Sequence, residues 1–372
     1  MTNEITYLDY NATAPVRPQV AHAVFEALQL CGNPSSIHSA GRAARKSVQT
    51  ARDEIAALIG ATNAQVIFTS GGTEANHLAI RGARVERILV SAIEHDSVLA
   101  ADPWAEIIPV LPSGVVDLNA MREMLALDTR TALVSVMLAN NETGILQPVT
   151  EAAGIAHSYG ALLHCDAVQA AGKIDVNFAA LGADMLSLSA HKLGGPQGVG
   201  ALVVRKDMML DAQLHGGRQE HGLRAGTENV PGIVGFGVAA KLAGIELKNM
   251  AQVSLLRDRL EAGAAQIAPY VIFFGADAAR LPNTSCFALP GLSSESQVMS
   301  FDLSEIAISA GAACSSGKVT RSKVLHAMGV NDDVANCAVR VSLGWDSRAE
   351  DVDAFLQAWE ILCGRVALRR AS

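Results

Sequence analysis

Short apolar runs alternate with longer amphipathic stretches along most of the chain. Residues 65–69, 87–91, 132–137, 161–165, 185–188 and 200–204 are dominated by Val, Ile, Leu, Ala and Met with little polar alternation, the pattern of strands covered on both faces. Helical stretches such as 42–58 and 74–81 lie between some of them, so the pattern predicts an α/β fold with a mainly parallel sheet covered by helices. From 232 to about 268 the pattern turns long and helical, with a breaker expected at Gly244, and this reads as the bridge to a second unit. Strands are expected there at 271–274, 284–289, 306–309 and 338–343, and helices at 294–301 and 350–363, as in a smaller α+β domain. The expected division is a large domain over 16–250 and a small domain made of 1–15 plus 251–372. No internal repeat or low-complexity tract interrupts the pattern.

Composition narrows the function classes. The chain has 372 residues, 50% hydrophobic and 18% charged, which suits two or three packed domains and argues against long disorder. With 29 Lys+Arg against 37 Asp+Glu the net charge is -8, so direct nucleic-acid binding is not expected. The first residues hold no apolar run behind basic ones, the mark of a secretory signal. The apolar runs 131–139 and 231–240 are about half the length a bilayer requires, so no membrane span is expected. Six cysteines without a CxxC pair speak against a structural zinc site and a secreted disulfide framework. These features together suggest a cytoplasmic enzyme with no metal.

Three segments carry candidate chemistry. In Phe68-Thr-Ser-Gly-Gly-Thr-Glu-Ala-Asn76 a strand ends in glycines and runs into a helix, where free N–H groups and the Thr73 hydroxyl make either a phosphate cradle or an ordinary helix cap. In Ser187-Leu-Ser-Ala-His-Lys-Leu-Gly-Gly-Pro196, Lys192 stands between an apolar strand and a tight turn; there it is either a Schiff-base lysine or a solvated one. In His164-Cys-Asp-Ala-Val-Gln169, Asp166 ends an apolar strand and either caps the next helix or holds a pyridine nitrogen protonated. Phosphate cradle, lysine and strand-end carboxylate are jointly the requirements of pyridoxal 5'-phosphate. A fourth segment, Ser309-Ala-Gly-Ala-Ala-Cys-Ser-Ser-Gly-Lys318, surrounds Cys314 with small and polar residues, which predicts an exposed loop and an accessible thiol.

These segments, with Tyr7-Leu-Asp-Tyr-Asn-Ala-Thr-Ala-Pro15, Gly32-Asn-Pro-Ser-Ser36, Glu94-His95, Asn140-Asn-Glu-Thr-Gly144, Gly222-Leu-Arg-Ala-Gly-Thr-Glu-Asn229 and Arg340-Val-Ser-Leu-Gly344, resemble the group I cysteine desulfurases of the NifS/IscS type, within the fold-type I pyridoxal-phosphate enzymes. The resemblance spans nearly the whole chain. It implies a large domain with a mainly parallel, seven-stranded type of sheet, and cysteine desulfuration with transfer of sulfur to Cys314 as a persulfide. By the same resemblance Lys192 would carry the cofactor, His95 would stack on its ring and shuttle protons, Asp166 would pair with the ring nitrogen and Gln169 with the ring hydroxyl. Gly72, Thr73, Ser189 and His191 would hold the phosphate, and Thr227 would reach the phosphate of the second subunit of a homodimer. Asn33, Asn141 and Arg340 would bind the substrate, Arg340 by its carboxylate. The implied partners are L-cysteine and a protein sulfur acceptor such as an iron–sulfur scaffold.

His95 could instead only cap a neighbouring element, and Arg340 could be a surface arginine on an edge strand. After Cys314 the added positive charge of Lys318, Arg321 and Lys323 departs from the common family pattern and bears on acceptor choice. Rival readings on the same scaffold are a selenocysteine lyase or another aminotransferase-like pyridoxal-phosphate enzyme, and outside enzymes a non-catalytic binding module.

Overall fold

The computed structural model describes residues 5–310 and 321–371, with side chains described as far as Arg365. In chain order the elements are β1 (Thr6–Tyr7), α1 (Pro18–Gln29), α2 (Ser39–Leu58), β2 (Ala64–Thr69), α3 (Gly72–Gly82), β3 (Arg87–Ser91), α4 (Asp96–Leu99), β4 (Glu106–Ile108), α5 (Leu118–Ala126), β5 (Ala132–Ser135), α6 (Val149–Ser158), β6 (Leu162–Asp166), α7 (Phe178–Leu181), β7 (Met185–Ser189), β8 (Gly200–Arg205), α8 (Val230–Glu246), α9 (Met250–Ile267), β9 (Ile272–Phe273), β10 (Thr284–Ala288), α10 (Ser294–Asp302), β11 (Ile306–Ala307), β12 (Ser309–Ala310), α11 (Lys323–Ala327), α12 (Asp332–Ala335), β13 (Ala338–Ser342) and α13 (Ala349–Ala371).

Seven strands form the main sheet in the order β2-β8-β7-β6-β5-β3-β4. Only β8 runs antiparallel to its neighbours β2 and β7; the other pairs are parallel. The mainly apolar character of β5 and β7, broken only by serines, goes with burial of every residue in them. The direction of these strands decides where chemistry collects. The carboxyl ends of β2, β3, β5, β6 and β7 share one edge of the sheet, and the loops leaving them carry residues 70–73, 92–95, 136–144, 166–173 and 189–192.

A smaller antiparallel sheet has the order β12-β13-β10-β9, and β1 pairs in parallel with β11. Its core is aromatic: Phe301 stacks on Phe355 with centroids 4.9 Å apart, Phe287 meets Trp359 edge-on, and Trp359 Nε1 donates to the Ala264 carbonyl at 3.1 Å. Leu8 belongs to this core, so the start of the chain packs with its C-terminal part.

Two expectations are corrected. The helical break falls at a 3₁₀ turn over Leu247–Asn249, whereas Gly244 lies inside α8, where a Cβ would make only an ordinary contact of 3.6 Å with Leu58. The strand expected over 306–309 is two short strands, β11 and β12, that join different partners. By length and composition Val230–Ile267 could cross a membrane, since an 18-residue window within it has a mean hydropathy of 1.5. Its first half, α8, nevertheless packs against α1 and α2 with Phe236, Ala239 and Ala240 buried. A Cβ on Gly237 would lie 2.6 Å from Ala51 Cα, so glycine allows this close helix contact.

Candidate active site

Lys192 ends a single 3₁₀ turn, Ala190–Lys192, that follows β7 directly. Its ammonium donates to the backbone carbonyls of Asn11 and, at 2.7 Å, Ala12. Burial, aided by the positive charge of Arg340, lowers the Lys192 pKa to about 8 against the opposing pull of Asp9 and Asp166. A free amine is therefore accessible near neutrality, which a carbonyl-trapping lysine requires.

A cavity of about 310 Å³ opens beside it. Of the residues singled out in the sequence, Gly72, Thr73, His95, Asn141, Asp166, Gln169, Ser189, His191, Lys192 and Arg340 all line this cavity. Gly72 and Thr73 open α3, and among the described residues no side chain caps that helix start. A Cβ on Gly72 would come within 3.0 Å of Val168 Cγ2 and 3.5 Å of Ser189 Cβ, so glycine keeps the space between helix start and Ser189 clear. His191 contacts Thr13 Oγ1 at 3.2 Å through Nδ1, and its pKa falls to about 4 through burial and the nearby lysines 192 and 173. Neutral donors at a helix N-terminus form an anion cradle, as the segment itself suggests.

Asp166 ends β6 with each carboxylate oxygen accepting one hydrogen bond, which leaves acceptor capacity toward the cavity it lines. Oδ1 accepts from Val168 N at 2.9 Å and Oδ2 from Asn76 Nδ2 at 2.8 Å. Asn76 also donates to Ser97 Oγ at 2.8 Å, and that hydroxyl meets His95 Nδ1 at 2.8 Å. Ser97 N donates to the same Nδ1 at 3.1 Å, which makes Nδ1 the acceptor and places the proton of a neutral ring on Nε2. His95 thus caps α4 and lines the cavity as well; the two readings of this residue are compatible. The adjacent Glu94 is enclosed, accepts from Met137 N at 2.6 Å, and is pushed well above the usual carboxylate range by burial and by Asp166.

Arg340 is no edge-strand arginine. Strand β13 lies between β12 and β10, and Arg340 is 1% exposed. Nη2 donates to Asp9 Oδ1 at 2.7 Å, Nη1 to the Asn141 carbonyl at 3.0 Å, and Nε is buried with no partner among the described residues. A buried fork with a donor to spare on the cavity wall fits a carboxylate ligand.

Two expected site residues lie elsewhere. Asn33 does not reach the cavity; its Oδ1 accepts from Ser35 N at 2.9 Å in the loop between α1 and α2, because that segment turns on itself. Thr227 lines a separate hollow with Ser70, Gly198 and Glu228. The turn leading to it is pinned to β2 by Glu220, which accepts from both Arg52 Nη atoms at 3.0 Å and from Phe68 N at 2.9 Å. Cys314 and Lys318 lie outside the described residues. Arg321 pairs with Asp332 and Lys323 with Asp96 at 2.6 Å, so those two charges are partnered. Residues not singled out from sequence include Asp9, Asn11, Asn76, Ser97 and Lys173; polar side chains at 9 and 11 beside the apolar Leu8 were the available signal.

Amine, ring-nitrogen acceptor, anion cradle and buried arginine together match pyridoxal 5'-phosphate and an amino-acid carboxylate in the chemistry of their donors. The class-V aminotransferase model matches residues 6–355. The chain belongs to the class-V aminotransferase family.

Within that family it belongs with the cysteine desulfurases. It is 45% identical over 369 residues to a cysteine desulfurase of Cereibacter sphaeroides, covering 95% of this chain and 94% of that protein. It is 40% identical over 386 residues to an IscS-like cysteine desulfurase of Mycobacterium tuberculosis, covering 98% and 97% of the two chains. The X-ray structure of a NifS-like protein from Rickettsia africae superposes with a TM-score of 0.90 at 35% identity, covering 96% of this chain and 99% of that one. Class-V membership carries the fold-type I pyridoxal-phosphate architecture seen in the sheet, and implies that cofactor.

Proposed function

We propose that the protein is a cysteine desulfurase that converts L-cysteine to L-alanine and leaves the sulfur on Cys314 as a persulfide, for delivery to an acceptor protein in iron–sulfur assembly or another thiolation. The observation that carries this reading is the convergence, on one cavity at the carboxyl edge of the sheet, of a desolvated Lys192, a buried Asp166 and a buried Arg340. The names of the relatives support the choice of cysteine as substrate.

In this reading Lys192 holds the cofactor, Asp166 its ring nitrogen, Gln169 its ring hydroxyl, and Gly72, Thr73, Ser189 and His191 its phosphate. Bound pyridoxal phosphate supplies an electron sink for the charge that develops at the substrate α-carbon. Arg340, with Asn141 alongside, fixes the substrate carboxylate, and the Lys192 amine takes the α-proton. His95, which lines the cavity with Nδ1 held by Ser97, keeps Nε2 to exchange the proton of the substrate thiol. The Cys314 thiolate attacks the substrate sulfur; the S–S bond forms as the Cβ–S bond breaks, and the bond's electron pair stays with carbon and is protonated. L-cysteine and one thiol thus become L-alanine and one persulfide, with no outside oxidant. We further propose the division into a large domain over 16–250 and a small domain from 1–15 and 251–372, a homodimer in which Thr227 serves the second subunit, and a cytoplasmic setting.

The test is a titration of the purified protein with L-cysteine, following the visible spectrum together with sulfide and alanine. A visible band perturbed by cysteine, with equal yields of sulfide and alanine, is expected; Cys314→Ala should keep the band and lose sulfide release. Full turnover by Cys314→Ala would refute the nucleophile. A visible band without sulfide would instead favour selenocysteine or amino-group transfer.

A further inference from the structure

The Gln169 amide is held by a second lysine that the proposed reaction does not use. Lys173 is 8% exposed, and its Nζ donates to Gln169 Oε1 at 2.8 Å and to Asn11 Oδ1 at 2.9 Å. Gln169 Nε2 donates at 2.9 Å to the Asn11 carbonyl, the same oxygen that receives Lys192. Asn11 is itself pinned: Asn283 donates to Oδ1 at 3.0 Å, Nδ2 reaches Thr284 Oγ1 at 2.9 Å, and its backbone N–H reaches Ser342 Oγ at 2.9 Å.

Two consequences follow from counting donors. An amide whose oxygen is occupied by Lys173 cannot turn over without leaving that donor buried and unmatched, which is costly. Its nitrogen has two N–H groups, and among the described residues only one is taken, by Asn11; the other remains for the cavity that Gln169 lines. Lys173 itself has two acceptors among the described residues, which matches the two N–H donors of a neutral amine. Burial, with the neighbouring charges of Lys192 and Arg340, pushes its pKa well down. The titratable and charged groups around this pair of lysines are Arg340, His191, Asp9 and Asp166.

We propose that Lys173 is a positioning residue: it locks the Gln169 amide so that an N–H, and not the amide oxygen, faces the ring hydroxyl of the cofactor, and through Asn11 it steadies the carbonyl on which Lys192 rests. The proposal rests on the pyridoxal-phosphate reading. A donor to the ring oxygen withdraws electron density from the acceptor nearest the Lys192 nitrogen, so a proton at that nitrogen is held less tightly. Loss of the lock lets the amide rotate and removes the donor, and the proton is then held more tightly.

The experiment is a pH titration of the visible band in cofactor-loaded wild type, Lys173→Met, Gln169→Leu and the double variant. The midpoint should rise by about one pH unit in Lys173→Met. Gln169→Leu should shift it similarly, and the double variant no further than Gln169→Leu alone, since one residue acts through the other. A midpoint unmoved in Lys173→Met, or shifts that add in the double variant, would overturn the proposal while leaving the cofactor reading intact. Absence of any visible band in reconstituted wild type would overturn the cofactor reading and this proposal with it. Lys173→Gln, which keeps a donor for Gln169 Oε1, covers the case in which the Met variant does not fold: a midpoint near wild type while Gln169→Leu still shifts supports the lock, and a rise as large as that of Gln169→Leu refutes it.

Discussion

Glu142 offers a quantitative test of the electrostatics around the site. It lies in the loop after β5, 7% exposed, and its Oε2 accepts the Ser322 hydroxyl at 2.6 Å; Ser322 in turn caps α11 through Leu325 N at 3.0 Å. Burial raises its pKa from 4.5 to about 7, against the pull of the Ser322 hydrogen bond and of Arg340, with Asp96 adding to the rise. Between those two values the folded chain binds a proton that the unfolded chain releases. The contribution to stability is therefore complete below about pH 4.5 and is lost as pH rises to about 7, up to about 3 kcal/mol in all. Glu142→Gln keeps an oxygen for Ser322 and removes the charge that must be buried above pH 7. The variant should melt near wild type at pH 5 and higher than wild type at pH 8, by about 3–4 °C for a chain of this size. Thermal melts followed by circular dichroism across that range decide it, and parallel curves for the two proteins from pH 5 to 8 would refute the reasoning.

Two further outcomes follow from the geometry. Arg340→Lys loses the planar fork that reaches Asp9 and Asn141, so half-saturation of the visible band should need about ten- to a hundredfold more cysteine, read by titrating the loaded protein. Asn76→Leu removes one of the two donors on Asp166 and the link to Ser97, and should weaken retention of the cofactor about tenfold in equilibrium dialysis.

The sheet was legible because covered parallel strands are apolar throughout, and β2, β3 and β7 fall within a residue of their expected bounds. The same logic exposed Lys192 and Asp166, since a charged residue at the end of such a run demands a reason. Gly244 misled because a glycine inside a helix looks like a stop when its packing is unseen. Whether Arg340 sits on an edge or in the interior of its sheet depends on the pairing of β12, two residues long, which leaves no periodic trace. Lys173 and Asn11 were illegible for a related reason. The contacts to Asn11 span 158 residues from Gln169 and 162 from Lys173, which no local pattern encodes, and the remaining Lys173 contact, to Gln169 four residues away, is too common a spacing to single the lysine out.

That distance explains how the site is assembled. Residues 9–12 act as a polar strap between the two sheets: Asp9 holds Arg340 and Ser309, Asn11 holds Lys173, Gln169 and Lys192, and Ala12 holds Lys192 again. Leu8, anchored in the aromatic core, fixes one end of the strap, and the Ala14 N–H donating to the His191 carbonyl at 2.8 Å fixes the other. The lysine at the edge of the main sheet and the arginine inside the small one are thereby tied to the same few residues. Backbone carbonyls hold Lys192, and they do not titrate, so its low pKa reflects burial and Arg340 against the weaker pull of Asp9 and Asp166, with no carboxylate hydrogen-bonded to it among the described residues. A side chain lost at Asn11 should consequently disturb the Lys173, Asn283, Thr284 and Asn141 contacts together while leaving the backbone oxygen under Lys192, whereas one lost at Asp9 should act first on Arg340.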